Sequence, residues 1–199
     1  MSSETSPKSN KKYQIILADP PWSYADQGCQ GTMANHYKGM KIEDICKLPV
    51  KNITDDNCIL FLWTTFPMLK EALKVIDAWG FDYKTIAFLW IKLNKKQGQQ
   101  ETFLRQKYFY GLGRWTRGNT EPCLLATKGK PKRISKSVFQ IIEAPLKRHS
   151  EKPNEARKKI RELCGDNVNR IELFAREKTD WFGDVWGNEV ESDIDLEEV

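Results

Sequence analysis

The sequence predicts an α/β domain whose sheet is mostly parallel and covered by helices on both faces. Two observations carry this. Ile15-Ile16-Leu17-Ala18 and Cys58-Ile59-Leu60-Phe61-Leu62-Trp63 are unbroken apolar runs of strand length, as expected of strands buried on both sides. After the second run, Pro67 opens a helix through Trp79, with Leu69, Leu73, Ile76 and Trp79 at helical spacing and Gly80 as its stop. Apolar strand, amphipathic helix and apolar strand make a βαβ unit, and hence a parallel sheet.

Taken in order, residues 1–12 are polar, rich in Ser and Lys, without period, and read as a disordered leader. Tyr13–Ala18 is the first strand. Ser23–Lys38 has neither helical nor strand period and reads as a mobile loop over the end of that strand, where open α/β sheets place ligands. Lys41–Leu48 is a short helix ended by Pro49. A strand follows within Phe81–Ile91, another over Pro122–Thr127, and a further apolar run over Val138–Ile142. Pro153–Leu163 is a helix ended at Cys164-Gly165, and its bases (Arg157, Lys158, Lys159, Arg161) read as a solvated face. Val168–Phe174 is the last clear strand. Trp181–Val190 closes a single domain over 13–190, and 191–199 reads as an acidic disordered tail.

Composition narrows function. The chain has 199 residues and 40% apolar content, enough for one sizeable core. It shows no membrane-length apolar run and no hydrophobic signal segment, so a soluble intracellular protein is expected, cytoplasmic or nucleoid-associated. Five scattered cysteines without a Cys-x-x-Cys pair, and two histidines, argue against a disulfide framework, a metal site and a Ser/His/Asp triad. Residues 191–199 hold five of the 27 acids and no base, leaving 32 bases against 22 acids before them. A body at +10 suits a polyanionic partner.

Two stretches carry chemistry. Asp19-Pro20-Pro21-Trp22 ends the first strand in a carboxylate held rigidly against a carbonyl by prolines, beside an indole. Two acceptors and an aromatic plate suit a planar guest bearing an amino group, such as a nucleobase; the plainer alternative is a strand-ending turn. Residues 92–120 interleave Lys92, Arg114, Arg117 and other bases with Trp115 and further aromatics, a composition fitting contact with nucleic acid. Gly111-x-Gly113 within it is too weak to indicate a dinucleotide loop.

With these residues in view, the chain resembles the MT-A70 family of S-adenosylmethionine-dependent adenine N6-methyltransferases. The similar pieces are Asp19-Pro20-Pro21-Trp22, Tyr37-Lys38-Gly39-Met40, Leu60-Phe61-Leu62-Trp63, Asn119-Thr120-Glu121-Pro122-Cys123, Ser150-Glu151-Lys152-Pro153, Arg170-Ile171-Glu172-Leu173-Phe174-Ala175-Arg176 and Gly187-Asn188-Glu189. The resemblance implies a Rossmann-like class I methyltransferase fold in permuted order, with the catalytic strand ahead of the cofactor segment. It implies that Asp19 and the Pro20 carbonyl, followed by Pro21, receive the two N–H groups of the target amine while Trp22 stacks near the base. Asp19, Lys152, Arg176, Asn188 and Glu189 would surround S-adenosyl-L-methionine, and Tyr37 and Glu121 would line the acceptor side. Glu189 stands where well-known eukaryotic members carry glutamine. The expected partner is nucleic acid, with DNA favoured over RNA because the chain is compact, and no metal or membrane is expected. A homodimer and a heterodimer are both compatible with the sequence, and the competing reading is a non-catalytic nucleic-acid-binding subunit.

Overall fold

The computed structural model describes residues 11–23, 39–94, 107–111, 113, 115–147 and 151–196. The overhanging loop expected after Ser23 falls on residues 24–38, outside the described residues, and so does most of the first half of the basic aromatic stretch.

Seven strands form one sheet: β1 (Tyr13–Ala18), β2 (Thr54–Trp63), β3 (Asp82–Leu93), β4 (Thr120–Lys128), β5 (Ile141–Pro145), β6 (Arg170–Leu173) and β7 (Asp184–Trp186). Their order across the sheet is β5-β3-β4-β2-β1-β6-β7. Only β4 runs against its neighbours; β1 is parallel to both β2 and β6, β6 to β7, and β3 to β5. Among the described residues the helices are α1 (Ile42–Lys47), α2 (Leu69–Ala78) and α3 (Asn154–Cys164).

Alternation along each strand divides the core between the two faces. Ile16, Ala18, Leu60 and Leu62 pack with Ile45 of α1 and with Ala72, Val75 and Ile76 of α2. Ile15, Leu17, Ile59 and Phe61 pack with Ala156 and Ile160 of α3 on the other side. Both faces of the central strands are thus dry, which is why their sequences show no polar alternation. Trp79 ties α2 to α1 by donating its indole N–H to the Ile45 carbonyl at 2.9 Å.

This topology places the site. The chain leaves β1 for β2 on one side, with α1 and α2 on one face, and returns through α3 on the other face to β6 on β1's opposite side. The carboxyl ends of β1 and β6 therefore flank a switch point, the position where such sheets bind ligands. The first strand carries Asp19 and the last two deliver Arg176 and Asn188, which is the permuted order expected.

The apolar run Val138–Ile142 enters a strand only at its end, since β5 is Ile141–Pro145: an edge strand with one covered face needs only Ile142 and Ala144 inward, and Phe139 is 79% exposed. Two expectations need correction. The acidic tail is not free through 191–196. Leu196 is fully buried, and the Asp193 carboxylate accepts the Val185 N–H at 2.9 Å while its own N–H binds the Val185 carbonyl. Apolar Ile194 and Leu196 sew this segment onto the β7 edge despite its charge. Arg157, placed on a solvated face, is instead 6% exposed and pairs through Nε and Nη2 with both Glu172 carboxylate oxygens at 2.7 Å. Burying the Glu172 charge in β6 demands a partner, and only a guanidinium on the facing helix supplies one.

Candidate active site

The turn after β1 is fixed by its own backbone. Asp19 donates its N–H to Leu173 of β6 at 3.4 Å, Trp22 donates to the Pro20 carbonyl at 2.9 Å, and Met40 donates to the Pro21 carbonyl at 2.8 Å. The Trp22 indole N–H reaches the Trp63 carbonyl at the end of β2 at 3.1 Å. The double proline thus hangs between β6 and β2, with the Asp19 side chain 18% exposed at the switch point. Two expectations change here. The Pro20 carbonyl already accepts one hydrogen bond, so only its second lone pair is available to a guest. Trp22 is 5% exposed and belongs to the core, so its indole braces the turn rather than presenting an open plate.

Asp19 ends a chain of alternating charges. Its Oδ2 lies 2.8 Å from Lys152 Nζ; the same nitrogen lies 3.0 Å from Glu121 Oε1; and Glu121 Oε2 lies 2.7 Å from Lys92 Nζ. Lys152 comes from the segment before α3, Glu121 from β4 and Lys92 from β3. Both ammonium groups also lie over indoles, Lys152 over Trp63 at 5.8 Å and Lys92 over Trp90 at 5.1 Å. Burial pushes the Asp19 carboxyl above its ordinary value; Glu121 adds to this, while Lys152 and Arg176 pull it partly back. Burial alone would also raise Glu121, but Lys152 and Lys92 outweigh it and hold Glu121 low. Burial would lower Lys152, and its two carboxylates overcome this and raise it. Cys123 beside them has its thiol pushed well up by burial and by Asp19, so it is not a nucleophile.

The second half of the site lies at the ends of β6 and β7. Ala175 donates its N–H to the Trp186 carbonyl at 3.0 Å, and a Cβ on Gly187 would fall 2.3 Å from the Ala175 oxygen, so glycine is required for this approach. Phe174 takes a left-handed φ of 61° and meets Trp186 edge to face at 5.3 Å. This turns the chain so that Arg176 emerges beside Glu189, with 3.8 Å between Arg176 Nε and Glu189 Oε1. Asn188 lies between Gly187 and Glu189 on the same edge.

Of the residues named from sequence, Asp19, Pro20, Lys152, Glu121 and Lys92 come together. Arg176, Asn188 and Glu189 stand at the adjoining strand ends. Trp115, 95% exposed, and Arg117 lie on a turn closed by the Gly111 N–H to Gly118 carbonyl bond, just before β4. Lys92 is bound to Glu121 rather than offered to a phosphate, and Glu121 pairs with the two lysines rather than with Arg117. Tyr37 and Arg114 lie outside the described residues. Sequence reading gave no individual role to Trp63 or Glu172 and set Arg157 on a solvated face. Glu172 carried a signal, a carboxylate between the apolar Ile171 and Leu173 of a strand, which asks for a buried cation. No group of His, Cys, Asp and Glu able to hold a metal ion occurs among the described residues, and none of their helices is long and apolar enough to cross a membrane.

A seven-stranded sheet with one reversed strand, carrying a mostly covered carboxylate at its central switch point, defines a Rossmann-like methyltransferase. The sequence profile described as MT-A70 matches residues 13–189, and the chain belongs to that family of S-adenosylmethionine-dependent N6-adenine methyltransferases. It is 33% identical over 201 residues to the type II methyltransferase M.MunI of a Mycoplasma species, covering 90% of this chain and 78% of that protein. It is 28% identical over 166 residues to the N(6)-adenosine-methyltransferase subunit METTL3 of Danio rerio, covering 83% of this chain but 26% of METTL3. The non-catalytic subunit METTL14 of Xenopus tropicalis is 27% identical over 180 residues, covering 84% of this chain and 37% of METTL14.

The family uses S-adenosylmethionine as methyl donor, and the donor set present fits that group. A ligand bearing a carboxylate, an ammonium and a ribose diol needs cations, carboxylates and an amide together. Lys152 before α3, Asp19 after β1, Arg176 after β6, and Asn188 and Glu189 after β7 are groups of these kinds, beside a glycine approach that a Cβ would fill.

Proposed function

We propose that this chain is a DNA adenine-N6 methyltransferase with Asp19 as its catalytic acceptor. The observation that carries the reading is a mostly covered carboxylate, held by two prolines at the switch point of a methyltransferase sheet and balanced by a lysine 2.8 Å away. Bound S-adenosylmethionine would supply a methyl group made electrophilic by its sulfonium. Lys152, Arg176, Asn188 and Glu189 would hold it, with Asp19 at the junction with the acceptor.

Adenine's exocyclic nitrogen shares its lone pair with the ring and is a weak nucleophile. Asp19 receives one of its N–H groups and the remaining lone pair of the Pro20 carbonyl receives the other. Acceptors aimed at both protons favour a pyramidal nitrogen and stabilise the positive charge that grows on it. Lys152 and Glu121 keep Asp19 in place without cancelling its charge. The buried Trp22 maintains the turn. In duplex DNA the adenine must first leave the stack, at about a few kcal/mol; Trp115, Arg117, Arg114 and Tyr37 are the residues we assign to that side.

The likeness to the type II methyltransferase, higher in identity and in shared length than to the adenosine methyltransferases, favours DNA. The basic body supports a nucleic-acid partner of either kind. The test is transfer of labelled methyl from S-adenosylmethionine to matched DNA and RNA oligonucleotides, single- and double-stranded. Transfer to DNA that Asp19→Ala abolishes is expected. Activity confined to RNA would replace the DNA reading with the alternative favoured by the likeness to METTL3. Nucleic-acid affinity with no calorimetric cofactor binding would favour a non-catalytic role, the designation carried by METTL14, within a homo- or heterodimer.

A further inference from the structure

The charge chain has an end that the chemistry above does not use. Lys92 lies three ion pairs away from Asp19, yet it is joined to it through groups that are mostly covered: the side chains of Lys92, Glu121, Lys152 and Asp19 are 21%, 10%, 12% and 18% exposed. Three contacts of 2.7, 3.0 and 2.8 Å string them together with alternating signs. Two lysines balance two carboxylates, so the four carry no net charge. Lys92 also lies over Trp90, which is 2% exposed, so its ammonium has a fixed seat.

We infer that Lys92 is a positioning residue for methyl transfer, acting through Glu121 to keep Lys152 on the carboxylate of Asp19. This rests on the reading of Asp19 as the amine acceptor. Glu121 faces two cations, one on each oxygen. While Lys92 occupies Oε2, Glu121 shares Lys152 with Asp19. Remove Lys92, and Glu121 has one cation left, the same one Asp19 depends on. Two buried carboxylates then compete for a single ammonium, and the pair takes up a proton at higher pH.

The two carboxylates then titrate as one coupled pair. The groups facing Asp19 are Lys152 from the segment before α3, Glu121 and the neutral Cys123 from β4, Arg176 from the end of β6, and Glu172 within β6. Glu172 is committed to Arg157. Burial pushes Asp19 up, while Lys152 and Lys92 together hold Glu121 low. An Asp19 that takes up the pair's proton keeps an acceptor oxygen but loses the negative charge that stabilises the positive charge growing on the amine. Lys92 therefore keeps Lys152 on the acceptor and the pair charged from three contacts away, without touching substrate.

The experiment uses Lys92→Met and Lys92→Arg in the full chain, with Lys92→Gln in place of the methionine variant should that fail to fold. The Asp19 carboxyl is titrated by carbon-13 NMR, its signal identified by its loss in Asp19→Asn. Lys92→Met raises the titration followed at Asp19, because the coupled pair has lost one of its cations, and Lys92→Arg restores it. The acid limb of the kcat/KM profile moves the same way, while nucleic-acid affinity and its salt slope stay as in wild type. An Asp19 titration unmoved in Lys92→Met overturns the inference. So does a salt slope reduced by about one, which marks a phosphate contact instead. A fully active Asp19→Asn would sink the methyl-transfer reading, while the NMR titration would still decide whether Lys92 governs Asp19.

Discussion

The join between the ends of β6 and β7 leaves no room for a single added methyl group. In Gly187→Ala the new Cβ would stand 2.3 Å from the Ala175 oxygen and 2.7 Å from its nitrogen, both backbone atoms that cannot rotate away. The two segments must part by about 0.7 Å to bring the closer contact even to 3.0 Å, the shortest approach real side chains show. The Ala175 N–H to Trp186 bond, now 3.0 Å, would lengthen by a similar amount and cease to be a hydrogen bond. Losing it costs about 1 kcal/mol and overpacking adds about 1–3 kcal/mol. At about 2–4 °C per kcal/mol for a chain of this size, melting falls by about 4–16 °C. The same displacement moves Arg176 away from Asn188 and Glu189, and a misplacement near 1 Å in a binding constellation can cost on the order of 100-fold. Calorimetry with S-adenosylhomocysteine should therefore show affinity reduced at least about tenfold, within that scale. Gly118→Ala is the matched control, because a Cβ there meets nothing within 4 Å. A Gly187→Ala protein that melts within a degree of that control and binds the cofactor product equally well would refute the argument.

Asp19→Ala should lower kcat by about 10²–10³-fold, the scale of one preorganised electrostatic partner, with the fold retained by circular dichroism. Because burial holds the Asp19 carboxyl above its ordinary 3.8, the charged acceptor is lost as pH falls through that raised value. The acid limb of kcat/KM should accordingly lie above that of an ordinary aspartate, and removing the like charge in Glu121→Gln should move it down. Arg157→Met leaves Glu172 buried without its partner and should cost about 3–5 kcal/mol in urea unfolding, with Arg157→Met/Glu172→Met recovering much of it. Trp22→Phe removes the bond to the Trp63 carbonyl and should cost about 1 kcal/mol, with kcat lowered more than KM is raised if the turn's position is what matters.

The fold was legible where burial is two-sided, because an apolar run with no polar alternation leaves a central strand as its simplest reading. It was less legible at the edges. At β5 only alternate residues need to be apolar, and the conspicuous run Val138–Ile142 shares only Ile141 and Ile142 with the strand. At the tail, five acids outweighed three apolar residues in a reading by composition, although Ile194 and Leu196 are what the domain covers. Composition averages over a segment; packing selects particular side chains from it.

The site was legible as a set of words but not as a circuit. Asp19 announces itself because two prolines follow a buried strand. Nothing local announces that Glu121, about a hundred residues later, faces the same lysine, since long-range pairing across β1 and β4 is set by the sheet order. Lys92 shows the consequence most clearly. In sequence it opens a basic aromatic stretch and reads as one more phosphate contact. In the fold its ammonium is held by Glu121 2.7 Å away, over an indole. A cation so engaged adds little to a polyanion's field, but its loss leaves two carboxylates sharing one lysine. Charge counted along the chain and charge counted around Asp19 therefore make different claims about the same residue, and only the second places Lys92 in the chemistry of methyl transfer.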